Sequence, residues 1–129
     1  MAKLEKEAEL KFYHENYEHH FKGANYLMVA NAAGFVGCIT VLRDYATTPA
    51  YKGVGFYIVV FGIGMLSSIL YYIGLALARS NALSTIIQDR YMHEPTQKFL
   101  TVWHFVTMTI SILALVIAIV GLMTRLAKL

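Results

Sequence analysis

Three stretches of this chain contain no Asp, Glu, Lys or Arg: residues 23–42, 54–78 and 99–124, which are 20, 25 and 26 residues long. A helix needs about 20 mainly apolar residues to cross a hydrocarbon core about 30 Å thick, because each residue rises about 1.5 Å. All three stretches reach that length, and the second and third have residues to spare for tilt or projection beyond the bilayer. The sequence therefore predicts an all-α integral membrane protein with three transmembrane helices. Composition agrees: 57% of residues are hydrophobic and 15% are charged, against roughly 25% charged in soluble domains.

Before the first stretch, residues 1–22 alternate basic and acidic side chains with apolar ones. Leu4, Ala8 and Phe12 follow a four-residue spacing, and Leu10, Tyr13, Tyr17 and Phe21 follow a three-to-four spacing beside them. That pattern predicts an amphipathic N-terminal helix that lies on the membrane surface or continues into the first span. No apolar run of seven residues interrupts the charges, so no removable signal peptide is expected there. The chain divides into this leader, 1–22, and a three-helix bundle over 23–129.

Arg43, Asp44 and Tyr45, followed by Thr47, Thr48 and Pro49, mark the exit from span one, since Pro49 cannot continue a helix and disfavours it at Thr48. The short connection makes spans one and two antiparallel neighbours. After span two, Leu83, Ile86, Ile87 and Tyr91 recur at helical spacing, which predicts an extension that ends before Pro95. Three crossings put the termini on opposite sides. Seven Lys and Arg lie on the amino-terminal side (Lys3, Lys6, Lys11, Lys22, Arg79, Arg90 and Lys98) and four on the other (Arg43, Lys52, Arg125 and Lys128). The positive-inside rule then makes the amino terminus cytoplasmic. Tyr26, Tyr45, Tyr51, Tyr57, Tyr91 and Trp103 fall near span ends, where amphipathic rings favour the headgroup level.

The spans lack the intramembrane charges that build proton relays and substrate sites. No phosphate loop or nucleophilic triad is recognisable, so no catalytic residue is assigned and no enzyme activity is expected. The net charge of +3 is spread over mixed-sign segments, which gives no stripe for nucleic acid. One cysteine, Cys38, excludes an internal disulfide and a multi-cysteine metal site. Histidine is the remaining chemical candidate. His14, His19, His20, His93 and His104 all fall on the amino-terminal side, and a pairing of His104 with His20 or His19 would suit a b-type haem. In length and span number such a chain resembles the three-span anchors of succinate dehydrogenase, although it lacks their deep histidine on each of two spans. The alternative for His104 is an interfacial side chain bonded to a carbonyl or headgroup beside Trp103.

Small residues carry a second pattern. On span one Ala30 and Gly34 are four apart, as are Ala33 and Gly37; on span two Gly64 pairs with Ser68 and Gly74 with Ala78, while Gly55 and Gly62 repeat at seven. Small side chains at such spacing let helix backbones approach closely, and membrane helices depend on that contact. Asn31 lies near Gly34, and an amide in hydrocarbon seeks a partner. That partner is Ser67, Ser68, Thr107 or Ser111 of the same chain, or a group on another subunit.

The Asn31-Ala32-Ala33-Gly34 run, the run from Phe61 to Leu66 (FGIGML) and the serine-led apolar third span resemble a loose class of small uncharacterised bacterial multi-pass proteins. The likeness covers about residues 24–122. It implies a bacterial inner membrane and no set activity. Three functions follow as expectations. The first is a non-enzymatic membrane subunit that packs in a larger complex, its partners being lipid and other membrane chains or copies of itself. The second is a homo-oligomeric pore or membrane-disrupting protein of holin or phage-defence type, with Asn31, Thr40, Ser67, Ser68, Thr107 and Ser111 along a wet path. The third is the haem-binding anchor of a redox complex.

Overall fold

A computed structural model describes residues 2–45, 47, 52–88 and 94–127. It consists of three α-helices: α1 (Ala2–Tyr45), α2 (Val54–Gln88) and α3 (Glu94–Leu126). All three are long and apolar enough to cross a membrane. Thr48, Pro49, Tyr51, Arg90, Tyr91, His93 and Lys128, which the sequence reading used, lie outside the described residues.

α1 is one unbroken helix of 44 residues, so the leader continues directly into span one. Of its two apolar spacings, only the second is used for packing. Leu10, Tyr13, Tyr17 and Phe21 are half-buried, while Leu4, Ala8 and Phe12 stay exposed. Arg79 of α2 donates from Nη2 to His14 Nδ1 at 3.1 Å and links the leader to the far end of α2. On the outer face of α1, Lys11 and Glu15 at 4.0 Å and Lys22 and Glu18 at 3.4 Å form i,i+4 ion pairs. Pro95 falls in the first turn of α3, where a missing N–H costs no helical bond.

The helices run up, down and up. α2 packs along both α1 and α3, which touch each other less, and the apolar window of α2 is the most enclosed of the three. Burial follows a seven-residue period. On α1 the buried positions are Ala24, Asn31 and Cys38; on α2 they include Val54, Phe61, Ser68, Leu75 and Ala82; on α3 Leu100, Thr107 and Ala114 form one row and Ser111 and Ala118 another. A strict seven-residue repeat keeps one seam facing its neighbour only if straight helices cross shallowly with a left-handed twist. The core therefore has three levels along its length. Ala24, Tyr71 and Leu75 make one apolar cluster, and Cys38, Val54, Phe61 and Ala118 make the other. Asn31, Ser68 and Ser111 lie between them.

Glycines set the spacing between helices. A Cβ on Gly34 would collide with the Phe61 ring, one on Gly74 with Trp103 and one on Gly121 with Tyr57. Each glycine thus receives an aromatic ring from a neighbouring helix. A glycine inside a helix costs about 1 kcal/mol relative to alanine, which ring contact at these sites offsets. Gly53, just before α2, has φ +94°, and the Arg125 guanidinium lies against it, so the end of α3 is held beside the start of α2.

Candidate functional site: a polar layer between the helices

Asn31, Ser68 and Ser111 have no exposed surface, and each comes from a different helix. Asn31 Nδ2 donates to Leu27 O on its own helix at 2.9 Å and to Ser111 Oγ on α3 at 3.2 Å. Ser68 Oγ lies 2.9 Å from Gly64 O and 2.6 Å from Ser111 Oγ, and Ser111 Oγ lies 3.1 Å from the same carbonyl. A hydroxyl carries one proton. The two serines therefore cannot both donate to Gly64 O while one also donates to the other. Only two of these three contacts form at once, and exchange between them leaves the heavy atoms in place.

Asn31 Oδ1 is buried without a hydrogen-bond partner and lies directly over Gly64. Two further hydroxyls close on backbone: Thr107 donates to Trp103 O at 2.8 Å and Thr40 to Val36 O at 3.0 Å. Hydroxyls in apolar helices commonly turn back to the preceding turn in this way. Of the six residues expected along a wet path, Asn31, Ser67, Ser68, Thr107 and Ser111 are buried and Thr40 is exposed. They do not form one stripe on this chain. The amide's partner is thus Ser111 of the same chain, one of the intrachain alternatives.

The small residues divide between inside and outside. Gly64, Ser68, Gly74 and Ala78 are buried between helices, and Ala30 and Gly34 are half-buried on the side of Asn31. Ala33 and Gly37 are exposed, and a Cβ on Gly37 would meet nothing within 4 Å. One stripe on span one therefore builds the bundle, and the other faces away from it. Spacing on the sequence did not separate them. Ala114 and Ala118 on α3, four apart and buried, belong to the same internal packing and were missed, although their spacing from Ser111 was visible.

His20 and His104 both contact Tyr71. His20 Nδ1 and the Tyr71 hydroxyl are hydrogen bonded at 3.1 Å, and the His104 ring meets the Tyr71 ring edge-on with centroids 5.9 Å apart. Two imidazoles that hold one haem must face its iron from opposite sides with only the macrocycle between them. Here a buried tyrosine side chain touches both, so the residues do not fit a haem held by His20 and His104. His104 Nε2 is buried without a hydrogen-bond partner, while the neighbouring Trp103 donates from Nε1 to Leu70 O at 3.2 Å. Among the described residues no group of three or more His, Cys, Asp or Glu is arranged to hold a metal ion.

Compared with protein-family models, with curated proteins and with solved structures, the chain matches none of them.

Proposed function

We propose that this protein is a non-enzymatic small integral membrane subunit that packs against other membrane chains and stabilises or regulates their complex. The observation that supports this reading is the unused stripe on α1. Gly34, Gly64, Gly74 and Gly121 each receive a side chain from within the bundle, whereas Ala33 and Gly37 face outward with open space above Gly37. Lipid gives little hydrophobic drive for helices to associate, so a shallow small-residue face is the surface on which another helix gains most by close contact. The two helix-breaking costs at Gly34 and Gly37 are similar, yet only one is offset inside the chain. An outside helix would offset the second.

In this reading the protein sits in a bacterial inner membrane with its amino terminus in the cytoplasm, the side that holds most of its Lys and Arg. Affinity purification from the native membrane, comparing the native chain with Ala33→Ile and Gly37→Ile, tests the proposal. Companion chains, or further copies of this one, should be lost from both variants while helical content is kept. A native chain that leaves the membrane as a lone monomer would overturn it.

A further inference from the structure

An open groove of about 560 Å³ runs between α1 and α2 on the outer side of the bundle. Its lining changes character along its length. On α1 the lining passes from Glu18 and Lys22 through Asn25 to Met28; antiparallel α2 supplies the opposite wall, with Tyr72 and Ile73 level with Phe21 and Ile69 nearer Met28. Glu18 and Lys22 are the last acidic and the last basic residue before the charge-free stretch of α1. From Lys22 to Met28 the helix rises about 9 Å, against about 15 Å for one half of a hydrocarbon core about 30 Å thick. The groove thus starts where headgroups lie and reaches part of the way down one leaflet. Phe21 and Tyr72, in edge contact with ring centroids 4.9 Å apart, wall it at the charged end.

We propose that this groove binds one zwitterionic glycerophospholipid whose head joins a phosphate to a primary ammonium, as in phosphatidylethanolamine. The charges at the mouth come as a pair of opposite sign, with Lys22 Nζ 3.4 Å from Glu18 Oε1 and both side chains more than half exposed. An exposed pair of this kind holds together weakly and opens at little cost. Its members match the head in opposite order: Lys22 meets the phosphate and Glu18 meets the ammonium, whose N–H groups donate to the carboxylate. Asn25 is placed to reach the ester region. One acyl chain then runs from Ile73 past Ile69 to Met28. An anionic head such as phosphatidylglycerol offers Glu18 no cation and sets its carboxylate beside a phosphate. The mouth therefore selects for the zwitterion and not for negative charge in general.

This inference rests on the membrane reading of the chain, and the experiment separates the two. Delipidated full-length protein in detergent is titrated with phosphatidylethanolamine or phosphatidylglycerol of equal chain length, and bound lipid is counted by native mass spectrometry. The native chain should bind one phosphatidylethanolamine in preference to phosphatidylglycerol by about threefold to fivefold, the ratio that one exposed charge pair sustains. Glu18→Gln should abolish that preference, and Ile69→Trp, which fills the groove from its apolar α2 wall, should weaken both lipids while helical content is unchanged. Equal binding of the two heads by the native chain, a preference for phosphatidylglycerol, or no effect of Ile69→Trp would overturn the proposal. Failure of the chain to fractionate with membranes would instead remove the membrane reading itself.

Discussion

Asn31 of α1 faces Gly64 of α2 so closely that the amide oxygen occupies the place a Gly64 side chain would take. A Cβ there would also stand 2.6 Å from Asn31 Cγ and 3.1 Å from Ala114 Cβ. At Gly64, side chains of α1 and α3 therefore both press against the backbone of α2. Gly64→Ala should destabilise the bundle by about 1–3 kcal/mol, the usual cost of forcing extra atoms into a packed interior. Thermal unfolding in detergent measures it. Asn31→Ser, which shortens the intruding side chain, should recover part of that loss in the double variant. Equal loss in both backgrounds would show that the Asn31 contact is not the obstacle.

The two serines beside it are not equivalent. Ser111 receives the amide of Asn31 and bridges α3 to α2, whereas Ser68 lies on the same helix as the carbonyl it approaches. Ser68→Ala leaves Ser111 free to donate to Gly64 O. Ser111→Ala breaks the hydrogen bonds that, among the described residues, tie α3 to the layer. Ser111→Ala should therefore cost about 0.6–2 kcal/mol, the range for interhelical hydrogen bonds in membrane bundles, and Ser68→Ala distinctly less. A double-mutant cycle between Asn31→Ala and Ser111→Ala should give a coupling energy of the same sign and order. Additive losses would exclude the direct bond.

The span count was legible because charge is absent from three long windows and hydrocarbon admits little charge. Which small residues build the bundle was not legible, since Ala30 with Gly34 and Ala33 with Gly37 show the same spacing and differ by only about a sixth of a turn in direction. The seven-residue period resolves them: Ala24, Asn31 and Cys38 fix the inward seam of α1, and Ala33 and Gly37 fall away from it. That period was present in the sequence but obscured, because small, polar and aromatic residues share the buried positions and apolar residues also cover the outer faces. The contact of Tyr71 with both His20 and His104 depends on the relative depth of α1 and α3, which loop lengths alone do not set.

Gly53 and Gly23 offer opposite outcomes from one substitution. At Gly53 the backbone φ is +94° and the Arg125 guanidinium lies against the site. A side chain in that region of φ costs about 1–3 kcal/mol, so Gly53→Ala should lower stability and loosen the end of α3. Gly23 lies inside α1, and a Cβ there meets nothing within 4 Å. Gly23→Ala should raise helix stability by up to about 1 kcal/mol. Chemical unfolding followed by helical signal distinguishes the signs; a gain at Gly53 would contradict the placement of Arg125.

Gly34 and Gly37 separate folding of the chain from its association. A Cβ on Gly34 would strike the buried Phe61 ring, while one on Gly37 meets open space. Gly34→Ala should cost the isolated chain about 1–3 kcal/mol through overpacking. Gly37→Ala should leave it unchanged or raise its stability by up to about 1 kcal/mol through helix propensity. Gly37→Ile keeps the isolated fold but raises a branched side chain from the flat face, so crosslinked or co-purified species should fall in proportion to the bulk added. Thermal unfolding of the monomer and crosslinking in the native membrane, run on the same four proteins, give the two readouts. If Gly34→Ala alone reduced association while Gly37→Ile did not, the outward stripe would not be the docking face and the loss would reflect a weakened bundle.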